Sequence, residues 1–98
     1  MTAAFGLLTA TMMLAACGSD ISLQEYAGIV EASRSCSEGD TCVLAGSGQC
    51  TCATPVNASR WESVEDAAAD VECNGAQVEC PTHERVRCEA NRCRSDTL

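Results

Sequence analysis

Apolar residues recur at helical spacing in two stretches of the chain. Trp61, Val64, Ala68 and Val71 stand at i, i+3, i+7 and i+10, a single stripe, while the carboxylates of Glu62, Glu65, Asp66 and Asp70 read as its polar, solvated face. Ser59 with Glu62 three residues later reads as a capping box, and Asn74-Gly75 supplies a stop. Together they predict one main helix over about 60–72, with Trp61 its anchor into a sheet and Cys73 placed to tie its end to a strand. Leu23, Tyr26, Ala27 and Val30 form a weaker stripe behind a second capping box, Ser22 with Glu25. Gly28 and the β-branched pair Ile29-Val30 oppose a robust helix there, so a strand is the alternative.

Elsewhere the pattern is that of short strands. Residues 41–45 and 49–53 flank Gly46-Ser47-Gly48 and predict a hairpin that Pro55 ends. In its second strand Cys50 and Cys52 stand two apart, so they share a face and reach different partners. Residues 77–80 read as a short strand before Pro81. Residues 85–89 and 92–95 flank Ala90-Asn91, where a two-residue loop would pair Glu89 with Arg92 and set Cys88 opposite Cys93 at a non-hydrogen-bonded site, compatible with a direct bridge. Ala90 is a poor first residue for a type I′ turn, and a longer turn is the alternative. The expected fold class is a small, disulfide-rich α+β domain of short antiparallel strands or hairpins with one main helix.

Residues 3–16 differ from all of this: they carry only Ala, Leu, Met, Phe, Gly and Thr, with no charge and no polar face. A bilayer-spanning helix needs about 20 residues, so the run has the length of a signal-peptide apolar region and lies outside fold reasoning. Met1 to Ala4 include no Lys or Arg, so either the chain starts further upstream or the terminal amine alone supplies the positive charge. Leu14-Ala15-Ala16-Cys17, at the end of the run, resembles the lipobox of bacterial lipoproteins. The resemblance implies that residues 1–16 are a lipoprotein signal peptide, and that cleavage leaves Cys17 as a diacylglyceryl-modified first residue of an 82-residue mature chain. On this reading 17–35 form the lipidated N-terminus, a tether and a possible short helix, and 36–98 a disulfide-stapled domain. Two or three acyl chains, each buried methylene contributing about 0.8 kcal/mol, would hold the protein in a membrane. The implied location is the bacterial cell envelope, with the domain in the periplasm or at the cell surface. Gly18 rather than Asp after the cysteine favours an outer membrane, by analogy with enteric sorting.

After Cys17, eight cysteines remain: Cys36, Cys42, Cys50, Cys52, Cys73, Cys80, Cys88 and Cys93. An even number in a short exported chain implies a disulfide framework, and the odd total of nine resolves if Cys17 is the lipid acceptor. The framework is needed, because Trp61 and Tyr26 are the only aromatics of the mature chain and the remaining apolar residues are mostly small. The pairing is open, with on the order of a hundred possibilities.

The net charge of −8, with no lysine, disfavours nucleic acid and anionic headgroups as partners. Arg85, Arg87, Arg92 and Arg94 gather near the C-terminus among Glu84, Glu89 and Asp96, and read as a solvated strand face. A metal site is not expected: there is no C-x-x-C, Cys50-Thr51-Cys52 is the one C-x-C, and His83 is the one histidine. His83 reads as an exposed loop residue rather than a general base, and Glu38 with Asp40 offer too few ligands for calcium. No catalytic set and no cofactor emerge. The stretch from Cys36 to Cys93 is similar to a recurrent type of small bacterial cysteine-rich lipoprotein module, in which Cys36 and Cys42 precede a strand, Cys50 and Cys52 lead through Val56-Asn57 into a helix, and Cys88 and Cys93 close the chain. That resemblance implies oxidised cysteines and no reaction. The expected role is a non-enzymatic binding or structural module with an envelope protein as possible partner. The alternative is a disulfide-framed inhibitor of a secreted hydrolase, and a thiolate metal-binding protein ranks third.

Overall fold

The computed structural model describes residues 20–98; the expected signal peptide, the lipobox and Cys17 lie outside the described residues. Helix α1 (Leu23–Ser33) leads, followed by strands β1 (Cys42–Ala45) and β2 (Thr54–Asn57). A 3₁₀ turn (Ala58–Arg60) then enters helix α2 (Trp61–Asp70), and strands β3 (His83–Glu89) and β4 (Arg92–Thr97) close the domain. Two antiparallel two-stranded sheets, β1-β2 and β3-β4, pack with two helices and four disulfides, so the domain is a small disulfide-rich α+β fold.

The capping box of α1 forms as expected: Ser22 Oγ accepts from the Glu25 amide at 3.0 Å, and the Glu25 carboxylate accepts from the Ser22 amide. The helical reading thus holds over the strand alternative. Tyr26 and Val30, one turn apart, are buried against Ala45, Val56, Val64, Ala67 and Ala68. Among the described residues this is the apolar core cluster, with Ile21, Ile29, Val43 and Val71 at its margin.

The main helix is where expected, but its details are set differently. Its entry is capped by Asn57, whose Oδ1 accepts from the amide and the hydroxyl of Ser59, each at 3.0 Å. The Ser59–Glu62 box therefore does not form, because the Ser59 hydroxyl is committed upstream. Trp61 is 47% exposed and is not the anchor. It lies at the first residue of α2, beyond the end of the core, and the burying stripe is Val64, Ala67 and Ala68. The helix stops at Asp70, ahead of Asn74-Gly75, because Val71 turns extended and pairs with Ile21: the Ile21 amide donates to Asp70 O and the Glu72 amide to Ile21 O, both at 3.0 Å.

The first hairpin is also shifted. β1 pairs with 54–57 rather than 49–53, in the register Val43 to Val56 and Ala45 to Thr54. Pro55 sits inside β2, tolerated because each strand of a two-stranded sheet has an open edge. The tight turn at 46–48 opens into a loop because Gly46 is held by other elements: its carbonyl accepts from Tyr26 Oη at 3.2 Å and Thr51 Oγ1 at 2.6 Å, and its amide donates to Glu65 Oε2 at 2.5 Å. Residues 77–80 form no strand.

The C-terminal hairpin has the expected register, Glu89 with Arg92 and Cys88 with Cys93. Ala90 and Asn91 have φ of 53° and 63°, the signs of a type I′ turn, despite the unsuitability of Ala90. The surrounding attachments impose it. Ser35 bridges Arg92 on the outer edge of β4, with Cys36 N donating to Asn91 O at 3.1 Å and Cys93 N to Arg34 O at 2.8 Å.

Candidate functional site

The bridges form two groups, one that fastens the C-terminal hairpin and one that closes a ring with an exposed arm. In the first, Cys36 bonds Cys88 and Cys42 bonds Cys93, with Cα separations of 6.0 and 5.7 Å, within the usual range for a bridge. Cys88 and Cys93 face each other across the hairpin as expected, but the direct bridge does not form: each reaches instead to the segment before or within β1. The two bonds fasten the hairpin to the body, and the Arg34 guanidinium adds hydrogen bonds to Cys93 O at 3.0 and 3.3 Å. The sulfurs of Cys36, Cys42 and Cys88 lie within 4.8 Å of one another, a spacing that would suit metal ligands, yet all three belong to adjoining bridges and offer no thiolate.

In the second group, Cys50 bonds Cys73 and Cys52 bonds Cys80. Cys50 and Cys52 reach different partners, as their spacing implied, although they stand on a loop and not on a strand. Because the two are separated only by Thr51, the bonds close a covalent ring of eight residues on one side and three on the other. Thr51 is buried, donating to Gly46 O, so the short arm is fixed in the core. The long arm is free of it: residues 74–79 are all exposed, Val78 at 46%. Asn74 and Gly75 adopt left-handed backbone, with Ala76 N donating to Cys73 O at 2.8 Å, and residues 77–80 belong to no strand.

The remaining candidates fall away from this ring. His83 is not a loop residue: it opens β3, half-buried, with Nδ1 2.6 Å from Ser95 Oγ on β4. A histidine beside a serine hydroxyl is the start of a nucleophilic pair, but among the described residues Ser95 is the ring's one hydrogen-bond partner, and no third group orients it. Among the described residues every buried side-chain nitrogen and oxygen has a hydrogen-bond partner. Asp40 Oδ2 accepts from the Ser37 amide at 2.8 Å and from Asn57 Nδ2 at 3.1 Å, so it shapes the loop between Cys36 and Cys42. Of the C-terminal arginines, Arg85 and Arg87 pair with Asp96, Arg87 also with Glu89, and Arg92 with Glu31 across to α1, while Arg94 Nε donates to Glu89 O. Sequence pattern did not signal Arg34, Glu65 or Ser95, because each acts on a group twelve or more residues away along the chain. Thr51 acts only five residues away, on Gly46, but inside a loop that no periodicity marks.

Electrostatics make the hairpin attachment pH-sensitive. The hydrogen bond from Arg92 holds the Glu31 carboxyl below its ordinary value, and the charges of Arg92 and Arg34 act in the same direction. Burial pushes Asp96 up, but Arg87 and Arg85 outweigh it and its carboxyl also titrates low. Carboxyls depressed in the folded state stabilise it above the unfolded-state carboxyl range and lose that contribution as pH falls through their folded values. The melting temperature will therefore be lower at pH 3 than at pH 6, and Arg92→Gln will reduce the difference. A thermal melt insensitive to pH across that window, or to Arg92→Gln, would contradict these pairings.

The fold and its bridges define the class: a small disulfide-framed α+β domain. Compared with known protein families, with curated proteins and with solved structures, the chain matches none. Among the described residues no helix is long and apolar enough to cross a membrane.

Proposed function

We propose that this chain is a lipid-anchored protein of the bacterial cell envelope, whose domain is a non-enzymatic module that binds or braces another envelope component. The observation that carries the reading is the complete pairing of the eight cysteines from Cys36 to Cys93. A framework of this kind suits an oxidising compartment, and none of its members competes with Cys17 for the role of lipid acceptor. The apolar run of 3–16 and the lipobox Leu14-Ala15-Ala16-Cys17 support the route and the anchor, and Gly18 favours the outer membrane over the inner. Intact mass of the membrane-extracted protein, with and without reduction and alkylation, tests it. The expected mass lacks residues 1–16, carries diacylglyceryl lipid, and gains eight alkyl groups only after reduction. An uncleaved chain, or cysteines that alkylate without reductant, would remove the reading.

The second reading, an inhibitor of a secreted hydrolase, gains one specific support. The exposed arm of the Cys50/Cys52/Cys73/Cys80 ring is a constrained peptide presented away from the core, and constraint reduces the ordering cost of binding.

A further inference from the structure

The displayed arm of the ring has the attributes of a substrate peptide held so that it cannot leave. We propose that residues 74–79 are a recognition loop that enters the cleft of a secreted serine endopeptidase with a small aliphatic specificity pocket, and that Val78 is the residue placed in that pocket; this rests on the inhibitor reading of the domain. Three observations converge on it. Residues 77–79 are exposed and in no sheet, and their amides make no backbone hydrogen bond within the domain, so the strip is open to pair with the extended-peptide subsites of a protease. Val78 is the one sizeable apolar side chain of the arm, and it is half-exposed between the polar Gln77 and Glu79, a displayed apolar anchor. Both ends are bonded to Cys50 and Cys52, two residues apart on a segment whose central Thr51 is buried.

The covalent ring also decides the outcome of attack by the enzyme. The enzyme's serine oxygen would add to the Val78 carbonyl, the Val78–Glu79 C–N bond would break, and the serine's proton would pass through the enzyme's base to the new Glu79 amine. In an ordinary substrate that amine diffuses away. Here Cys52–Cys80 retains it beside the acyl group, at the high effective concentration of an intramolecular partner. The amine then re-forms the peptide bond, returning the proton to the serine oxygen, in competition with water. The expected behaviour is a slow-turnover inhibitor and not a substrate.

The full-length protein is titrated against two secreted serine endopeptidases, one cutting after small aliphatic residues and one after Lys or Arg. The first is expected to be inhibited at micromolar concentration or tighter and the second not at all. Val78→Asp should weaken inhibition by roughly 30-fold or more, the loss typical of a truncated central anchor. Val78→Lys should transfer inhibition to the second enzyme, a gain that a damaged fold cannot produce. No inhibition up to the solubility limit, rapid complete cleavage of the arm, or a Val78→Lys variant that inhibits neither enzyme overturns the proposal. A photo-crosslinking residue at Val78 or at Leu44, an exposed apolar residue of β1, tested in the intact envelope, separates this failure from that of the broader reading. Crosslinks to a defined protein at Leu44 alone leave a binding module without a protease loop, and crosslinks at neither site remove both.

Discussion

Complete reduction will unfold the domain at room temperature, seen as collapse of amide proton dispersion into the random-coil range. The reason is the disproportion between core and crosslinks. Among the described residues the buried core cluster has seven members, three of them alanines. The bridges span sequence separations of 52, 51, 23 and 28 residues. On the chain-entropy account, loops of these lengths stabilise by roughly 3 to 4 kcal/mol each, against a total stability of about 4 to 12 kcal/mol for a domain of this size. The four loops overlap, so the contributions do not simply add, yet losing any two is comparable with the whole. The bridges also differ in kind. Cys93 is fully buried and its bond ties β4 to β1, whereas Cys80 is exposed and its bond closes the displayed ring. The paired variant Cys42→Ser/Cys93→Ser is therefore expected to be unfolded or nearly so, while Cys52→Ser/Cys80→Ser retains the fold with a freed arm. A dispersed spectrum from the fully reduced, alkylated protein would show that the helices and core suffice, and would contradict this account.

The second large effect is expected at Gly46, just after β1. Its φ of +96° is strained for any side chain, and a Cβ there would collide with the Tyr26 hydroxyl and come within 3.2 Å of Val64 Cγ1. Gly46→Ala thus combines backbone strain with expulsion of Tyr26, whose hydroxyl donates to the Gly46 carbonyl. Strain of about 1 to 3 kcal/mol and a lost buried hydrogen bond of about 1 to 3 kcal/mol give a destabilisation of roughly 2 to 6 kcal/mol, before the cost of expelling Tyr26. In a domain of this length that lowers the melting temperature by roughly 8 °C or more. Adding Tyr26→Phe, which removes the colliding oxygen, should recover part of the loss. Gly28→Ala on α1, where a Cβ meets nothing within 4 Å, should instead stabilise by about 0.5 to 1 kcal/mol. Equal melting temperatures for Gly46→Ala and the native protein would show that the loop after β1 is free of Tyr26.

Both predictions depend on contacts between segments far apart in sequence, and the same division separates what the residues announce from what they conceal. The capping box at Ser22, the place of α2 with Val64 and Ala68 on its buried face, and the register of the last hairpin were legible from neighbours within a few positions, although Trp61 and Val71 of the expected stripe are not on that face. The even set of eight cysteines announced a stapled α+β fold because a core of this composition is too small to stand alone. Four features were not legible. The choice of 54–57 over 49–53 as the second strand follows from Tyr26, Thr51 and Glu65 converging on Gly46. The exposure of Trp61 follows from where the core ends, and the early stop of α2 from the pairing of Val71 with Ile21. The displayed ring exists only because Cys73 and Cys80 find Cys50 and Cys52.

The sequence by itself thus determined the fold class, the helices and the last hairpin, because short-range spacing and capping act through bonds and neighbours that any conformation of the chain brings together. The tertiary structure alone decided which sulfur meets which, since a bridge requires Cα atoms within about 7 Å of each other and that distance is a property of the packed core, not of spacing along the chain.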